Sequence, residues 1–294
     1  MKNIKEVLAI KAKKVDRELN RLFDLKDTEL SPTLSRAMEY TVFSGGKRIR
    51  PVLTLLTAEM LNGDTDAALK AGSALELIHS YSLIHDDLPS MDDDNFRRGK
   101  ATNHRVFGEG IAVLAGDALL TYAFEILSSL EISAEKAVKI ISLISTASGY
   151  QGMVGGQVLD LEGENKELNL EEMQKVHRGK TGALIKASVL TGAYCSDADK
   201  EEINALTDYS ENLGVTFQII DDLLDVIGDE EKLGKAVGSD DKLNKSTYPK
   251  LLGVDGAKRA AQKYAEAAAD ALDIFGEDAR NLKDLVQFVL YRQS

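Results

Sequence analysis

The chain has no tryptophan, one cysteine and only four prolines among its 294 residues, and aromatic side chains make up 6% of it. A lone Cys195 can form neither an intramolecular disulfide nor a thiolate metal cluster, which excludes a disulfide scaffold and zinc-finger chemistry and favours a reducing compartment. Its thiol reads as inert packing. With four prolines and 23 glycines, collagen-like repeats and a long disordered linker are excluded as well. No Pro/Ser-rich linker and no repeat of fixed period divides the chain, so one domain over 1–294 is the simplest organisation. Long apolar runs are missing. Residues 7–10 are apolar but are cut off by Lys11, Lys13 and Lys14, too short a stretch for a signal peptide. The uncharged stretch 140–159 carries Ser142, Ser145, Thr146, Ser148, Gln151 and Gln157 and is too polar to cross a bilayer. Positive charge is scarce, 36 Lys and Arg against 48 Asp and Glu, for a net charge of -12. Such a balance argues against nucleic acid as a partner. The expectation is a cytoplasmic protein with no membrane span, in which any anion must be bound by a local device.

What is present is helical periodicity. Apolar residues recur at spacings of three and four almost throughout, and long alternating runs are absent. The pattern predicts an all-α helical bundle with helices over 3–20, 32–44, 48–61, 66–88, 108–129, 134–162 (which Gly149 can break), 170–195, 199–227, 247–252, 255–273 and 279–292. Punctuation agrees: Ser31 and Pro32 form an N-cap with proline at the first helical position, Asn62 and Gly63 end a helix, and Asp64 to Asp66 supply acidic caps for the next. Two polar, charge-dense segments, 90–99 and 228–245, directly follow long helices. Taken alone, each reads as a solvated surface loop.

Their neighbours change that reading. Asp86, Asp87 and Asp92, and again Asp221, Asp222 and Asp225, put three aspartates at the C-terminal end of a predicted helix. Asp221 and Asp225 are four apart and about 40° around the helix, with Gln218 on the same stripe. Like charges there repel one another and oppose the negative end of the helix dipole. A hard cation with oxygen ligands, for which Mg2+ is the candidate, removes the conflict. Asp86 and Asp92 would lie about 120° out of register in an unbroken helix. Pro89, however, withholds an amide and pushes Leu88 out of helical geometry, so the chain can bulge and return Asp92 to Asp86.

Magnesium held by a few carboxylates takes its remaining ligands from water and substrate phosphates, and a phosphate substrate needs cations of its own. Candidates are Lys47, Arg48 and Arg50 after Gly45 and Gly46, Arg97 and Arg98 past the first acidic motif, Lys180 beside Thr181, and Lys235 and Lys245 past the second. The Gly45–Gly46 turn at a helix start also offers free amides. His79 sits two turns, about 10 Å, before Asp86; on its own it reads as structural, and Tyr81 as core packing. From the residues alone, the result is a magnesium-dependent phosphate site in a helical bundle whose apolar core could hold a hydrocarbon.

Five segments carry a family resemblance: GGKRIRP at 45–51, HSYSLIHDDLPSMDDDNFRRG at 79–99, GGQVLDL at 155–161, HRGKTG at 177–182 and FQIIDDLLDVIGDEEKLGK at 217–235. The chain resembles the trans-prenyl diphosphate synthases from about residue 28 to its end, and among them the bacterial farnesyl diphosphate synthases (geranyltranstransferases). That resemblance implies the isoprenoid synthase bundle and a prenyltransferase. Asp86, Asp92 and Asp221, supported by Asp87, Asp222 and Asp225, would bind three Mg2+ gripping the diphosphate of dimethylallyl or geranyl diphosphate. Arg97, Lys180, Thr181, Gln218 and Lys235 would help hold that group, with Arg97 and Lys180 counted as catalytic alongside the three aspartates. Isopentenyl diphosphate would sit opposite, on Gly46, Lys47, Arg50, His79 and Arg98. Tyr81, with the small Ser82, would stop the growing chain at fifteen carbons. A homodimer is implied too. The rival readings are a geranylgeranyl diphosphate synthase, a non-catalytic helical partner subunit and a terpene cyclase. The cyclase normally replaces the second acidic motif.

Overall fold

A computed structural model describes residues 3–24, 30–164, 166–227 and 246–292. The first third of the chain forms α1 (Ile4–Asp24), α2 (Pro32–Val42), α3 (Ile49–Met60) and α4 (Thr65–Asp86). A two-residue antiparallel hairpin, β1 (Phe96–Arg97) with β2 (Lys100–Ala101), leads into the short α5 (Asn103–Phe107). Next come α6 (Glu109–Ser128), α7 (Ala134–Ser148), α8 (Met153–Gly163) and α9 (Leu170–His177). A π-helical turn, Arg178–Gly182, joins α9 to α10 (Ala183–Tyr194). After α11 (Lys200–Ile227) and α12 (Tyr248–Ala271), a 3-10 segment (Asp273–Ala279) precedes α13 (Arg280–Leu290).

The all-α expectation holds, with that hairpin as the exception among the described residues. α4 buries every residue from Ala71 through Ile78, so it has no polar face and can only be a central helix. It packs between α3 and α6, α10 lies against α3, and α11 pairs with α12. One apolar cluster fills the space among α1, α2, α4, α6 and α7, and a second fills that among α3, α10, α11, α12 and α13. By length and composition α6 is apolar enough to cross a membrane, yet it buries Ala112, Ala115, Leu119, Tyr122 and Ala123 against its neighbours. It is a core helix.

Helix breaks and differences from the periodicity reading have local causes. The 134–162 stretch does break at the expected glycine: α7 ends at Ser148 and Gly149 leaves helical geometry (φ -83, ψ -159). The 170–195 helix is interrupted by the π-helical turn. The break expected between 247–252 and 255–273 is present inside α12 at Gly253, which leaves helical geometry (φ 69, ψ 162). α1 runs to Asp24, and α4 stops at Asp86. Asp64 caps α4 by accepting from the amides of Asp66 and Ala67 at 3.0 and 2.9 Å. Ser31 occupies the N-cap of α2 without a side-chain hydrogen bond.

Candidate active site

The π-helical turn packs against α11, which ends in the second acidic motif, and its Lys180 acts on Asp86 at the end of α4. Past Asp86 the amide of Asp92 donates to the Asp86 carbonyl at 2.9 Å, and that of Asp93 to Leu88 at 3.1 Å, so the chain bulges at Pro89 and returns. The Asp86 carboxyl is pushed up to about 6. Burial is the main cause, with Lys180 opposing the rise and Asp92 adding to it. Asp87 caps α4 and is buried. The hairpin brings Arg97 onto its Oδ1, Nε at 2.7 Å and Nη2 at 2.6 Å. Burial still raises the Asp87 carboxyl, because the Arg97 pair offsets desolvation only in part.

On α11 the three aspartates differ. Asp222 accepts from Gln218 Nε2 through Oδ1 and from the Tyr248 amide through Oδ2, both at 3.0 Å. The Thr181 hydroxyl donates to Gln218 Oε1 at 3.0 Å. This relay ties the π-helical turn, α11 and α12 together and makes Asp222 an anchor. Asp225 is buried. Asp221 takes Arg292 Nη2 at 2.5 Å. The Arg292 guanidinium also lies 4.0 Å over the Phe217 ring and donates to the Phe217 carbonyl at 3.1 Å. Sequence reasoning missed Arg292, because a cation just past a C-terminal helix signals nothing beyond ordinary dipole compensation.

Asp160 was missed as well. It accepts from Lys180 Nζ at 2.6 Å, and the contact depends on two backbones touching: a Cβ on Gly156 would sit 2.1 Å from the Lys180 amide nitrogen. The sequence signal was there in GGQVLDL and HRGKTG, but nothing local says that these glycines face each other. His177, opening the second of those motifs, stacks 5.7 Å from the Tyr248 ring. Its imidazole is pushed down to about 4, chiefly by burial, with Asp160 acting against the shift and Lys180 with it.

The GGKRIRP turn separates its three cations. Arg48 adopts a left-handed backbone (φ 52), rare for a side-chain-bearing residue, and its buried guanidinium binds Asp16 at 2.9 Å, Glu76 at 2.8 Å and the Val42 carbonyl at 2.7 Å. Arg48 is therefore structural. Lys47, Arg50, Gly46, His79 and Arg98 line a cavity of about 440 Å³ whose wall also includes the Arg48 and Glu76 pair and, on the apolar side, Ile185 and Phe217. Arg98 donates to the Gly45 carbonyl and lies over Gly46 (φ 137), where a Cβ would come within 2.8 Å of its Nη1. Arg50 Nε is buried with no hydrogen-bond partner. Burial, then Arg50 and its neighbouring arginines, hold His79 well below the ordinary histidine range.

Tyr81 is 6% exposed in the core, near enough to Asp86 to feel its charge, and the Ser82 hydroxyl donates to the His79 carbonyl at 2.9 Å. Lys235, with the rest of segment 228–245, lies outside the described residues. Among the described residues no three acidic, histidine or cysteine groups converge to metal-ligating distance. Arg97, Lys180 and Arg292 instead stand on Asp87, Asp160 and Asp221. The donors around Asp86 and Asp221 are carboxylate oxygens, which fit a hard divalent cation and not a soft one.

Residues 31–287 match the family model described as polyprenyl synthetase. The chain is 47% identical over 262 residues to the farnesyl diphosphate synthase of Geobacillus stearothermophilus, covering 88% of each. It is 44% identical over 284 residues to that of Haemophilus influenzae, covering 96% of each. Its fold superposes on the geranylgeranyl pyrophosphate synthetase of Pyrococcus horikoshii with a TM-score of 0.89 at 34% identity, covering 98% of this chain and 99% of the other.

Proposed function

The chain belongs to the polyprenyl synthetase family, and from that premise we propose that it joins isopentenyl diphosphate head-to-tail to dimethylallyl or geranyl diphosphate, yielding farnesyl diphosphate. The observation that carries this reading is the unpartnered, buried Arg50 Nε in a cation-lined cavity, adjoining two aspartate-rich helix ends. A buried donor without an acceptor is costly in an empty protein and is resolved by an anion. Isopentenyl diphosphate is that anion, held by Gly46, Lys47, Arg50, His79 and Arg98. The allylic diphosphate lies across Asp86, Asp92 and Asp221, with Arg97, Lys180, Thr181 and Gln218 on its oxygens. Asp86, Asp92 and Asp221 would hold a divalent cation, Mg2+ and three per site on this reading, which would neutralise the charge gathering on the leaving diphosphate.

Lys180 and Arg97 hold that diphosphate as its C1–O bond breaks and the electron pair leaves with oxygen. The isopentenyl double bond, fixed by its own diphosphate in the opposite cavity, attacks the allylic C1 cation, and the departing diphosphate takes the proton lost from the adduct. Apolar walls keep water from the cation. Tyr81, five residues or about 7.5 Å before Asp86 along α4, is the floor that stops growth at fifteen carbons. The working unit is a homodimer. Supporting this are the exposed apolar side chains of Val113 and Leu114 on α6 and Val138 on α7, which a second copy would cover.

Purified protein incubated with isopentenyl and geranyl diphosphates and Mg2+ should yield a fifteen-carbon product, and light scattering at micromolar concentration should report a dimer. Absence of any condensation product would reject the activity, and a monomer would reject the assembly.

A further inference from the structure

α6 carries Gly116 in the middle of its span, where glycine costs a helix about 0.5–1 kcal/mol relative to alanine. The gap it leaves is filled from another helix. A Cβ on Gly116 would stand 2.1 Å from Nε2, 2.5 Å from Cδ2 and 2.8 Å from Cε1 of His85, so the imidazole lies directly on the α6 backbone. There His85 Nε2 is 3.0 Å from the Val113 carbonyl and 4.0 Å from Asp117. The His85 ring also meets the Tyr81 ring, one helical turn earlier on α4, edge to face at 5.6 Å and 78°. Residues four apart on a helix share a face, and the edge-to-face arrangement fixes relative ring orientation as well as separation.

We propose that His85, seated on Gly116, is the positioning residue that holds the Tyr81 ring across the hydrocarbon path, so that product length is set by Tyr81, His85 and Gly116 together. The inference rests on the prenyl-chain reading of this site. Its physical content is a chain of contacts: α6 without a side chain at Gly116 admits the imidazole, the imidazole blocks rotation of the Tyr81 ring toward α6, and the blocked ring closes the floor. Adding a methyl at Gly116 must move the imidazole by about an ångström or more to reach ordinary contact distance. Removing the imidazole leaves the tyrosine a free side. Either change loosens the floor without altering any group that faces a diphosphate.

Four variants test this with isopentenyl and geranyl diphosphates as substrates and product length as the readout, a ratio that does not depend on how much enzyme is folded. Tyr81→Ala should yield products longer than fifteen carbons. Gly116→Ala and His85→Ala should each raise the ratio of twenty- to fifteen-carbon product at least fivefold, whereas His85→Gln, which keeps a polar side chain of similar length in the Gly116 slot, should stay closer to wild type than His85→Ala. His85→Ala only removes atoms and carries the test should the crowded Gly116→Ala fail to fold. If Tyr81→Ala lengthens the product while His85→Ala leaves the ratio unchanged, the positioning role is overturned and the Tyr81 floor stands. A fifteen-carbon product from Tyr81→Ala would overturn the floor reading and this inference with it.

Discussion

Replacing Arg48 by methionine should destabilise the fold and leave anion binding intact, while the same change at Arg50, two residues on, should do the reverse. Arg48 and Glu76 are each 3% exposed in the side chain and 2.8 Å apart. Removing the guanidinium strands a buried carboxylate, a loss of about 3–5 kcal/mol. The second partner, Asp16, is 46% exposed and adds at most about 1 kcal/mol. At roughly 2–4 °C per kcal/mol for a domain of this size, Arg48→Met should lower the melting midpoint by roughly 6–20 °C. Arg50 has no hydrogen-bond partner for its buried Nε, so Arg50→Met should change the midpoint by no more than a few degrees and weaken inorganic pyrophosphate binding by about tenfold or more. Calorimetric melting and pyrophosphate titration of both variants give the comparison. The reverse pattern, a stable Arg48→Met that no longer binds pyrophosphate, would refute the division of this motif into one structural and two ligand-facing cations.

Asp86→Ala or Asp221→Ala should each lower kcat by on the order of 10² or more with Mg2+ present; near-wild-type turnover in either would sink the proposed cation role. Arg50→Ala and His79→Ala should chiefly raise KM for isopentenyl diphosphate, whereas Lys180→Ala should act on the allylic substrate or on kcat, and equal effects on both substrates would reject two separate seats. Arg292→Ala removes the cation standing on Asp221, so Mg2+ titrated calorimetrically in the presence of pyrophosphate should bind roughly two- to fivefold tighter; weaker binding would count against that competition. His177 is held at about 4 by burial, below its unfolded value, so its contribution to stability is complete above about pH 6.5 and is lost as pH falls toward 4, by at most about 1.4 kcal/mol per pH unit. His177→Gln should therefore flatten the acid side of the stability profile over that window, and an unchanged slope would show that another group sets it.

Helical class, most helix positions and the two acidic motifs were legible in the sequence because they follow from local rules: 3.6-residue periodicity, the backbone demands of Pro89, and repulsion among aspartates at a helix end. Even the return of Asp92 to Asp86 is a matter of six residues of covalent geometry. What escaped are contacts between distant segments. Arg48 looks like its neighbours Lys47 and Arg50 until Glu76, 28 residues away, claims it. Arg292 lies 71 residues from Asp221, Asp160 lies 20 from Lys180, and His85 lies 28 from the Val113 carbonyl. The π-helical turn at Arg178–Gly182 is also invisible to periodicity, since it shifts the helix by a fraction of a turn to fit α8 and α11. Residue type and spacing determined which charges this chain carries and on which helix ends they sit. Which of those charges pair with each other inside the protein, and which remain turned toward a ligand, is decided by the packing of helices far apart in sequence, because an ion pair or a ring contact exists only where the fold brings its two halves within a few ångströms.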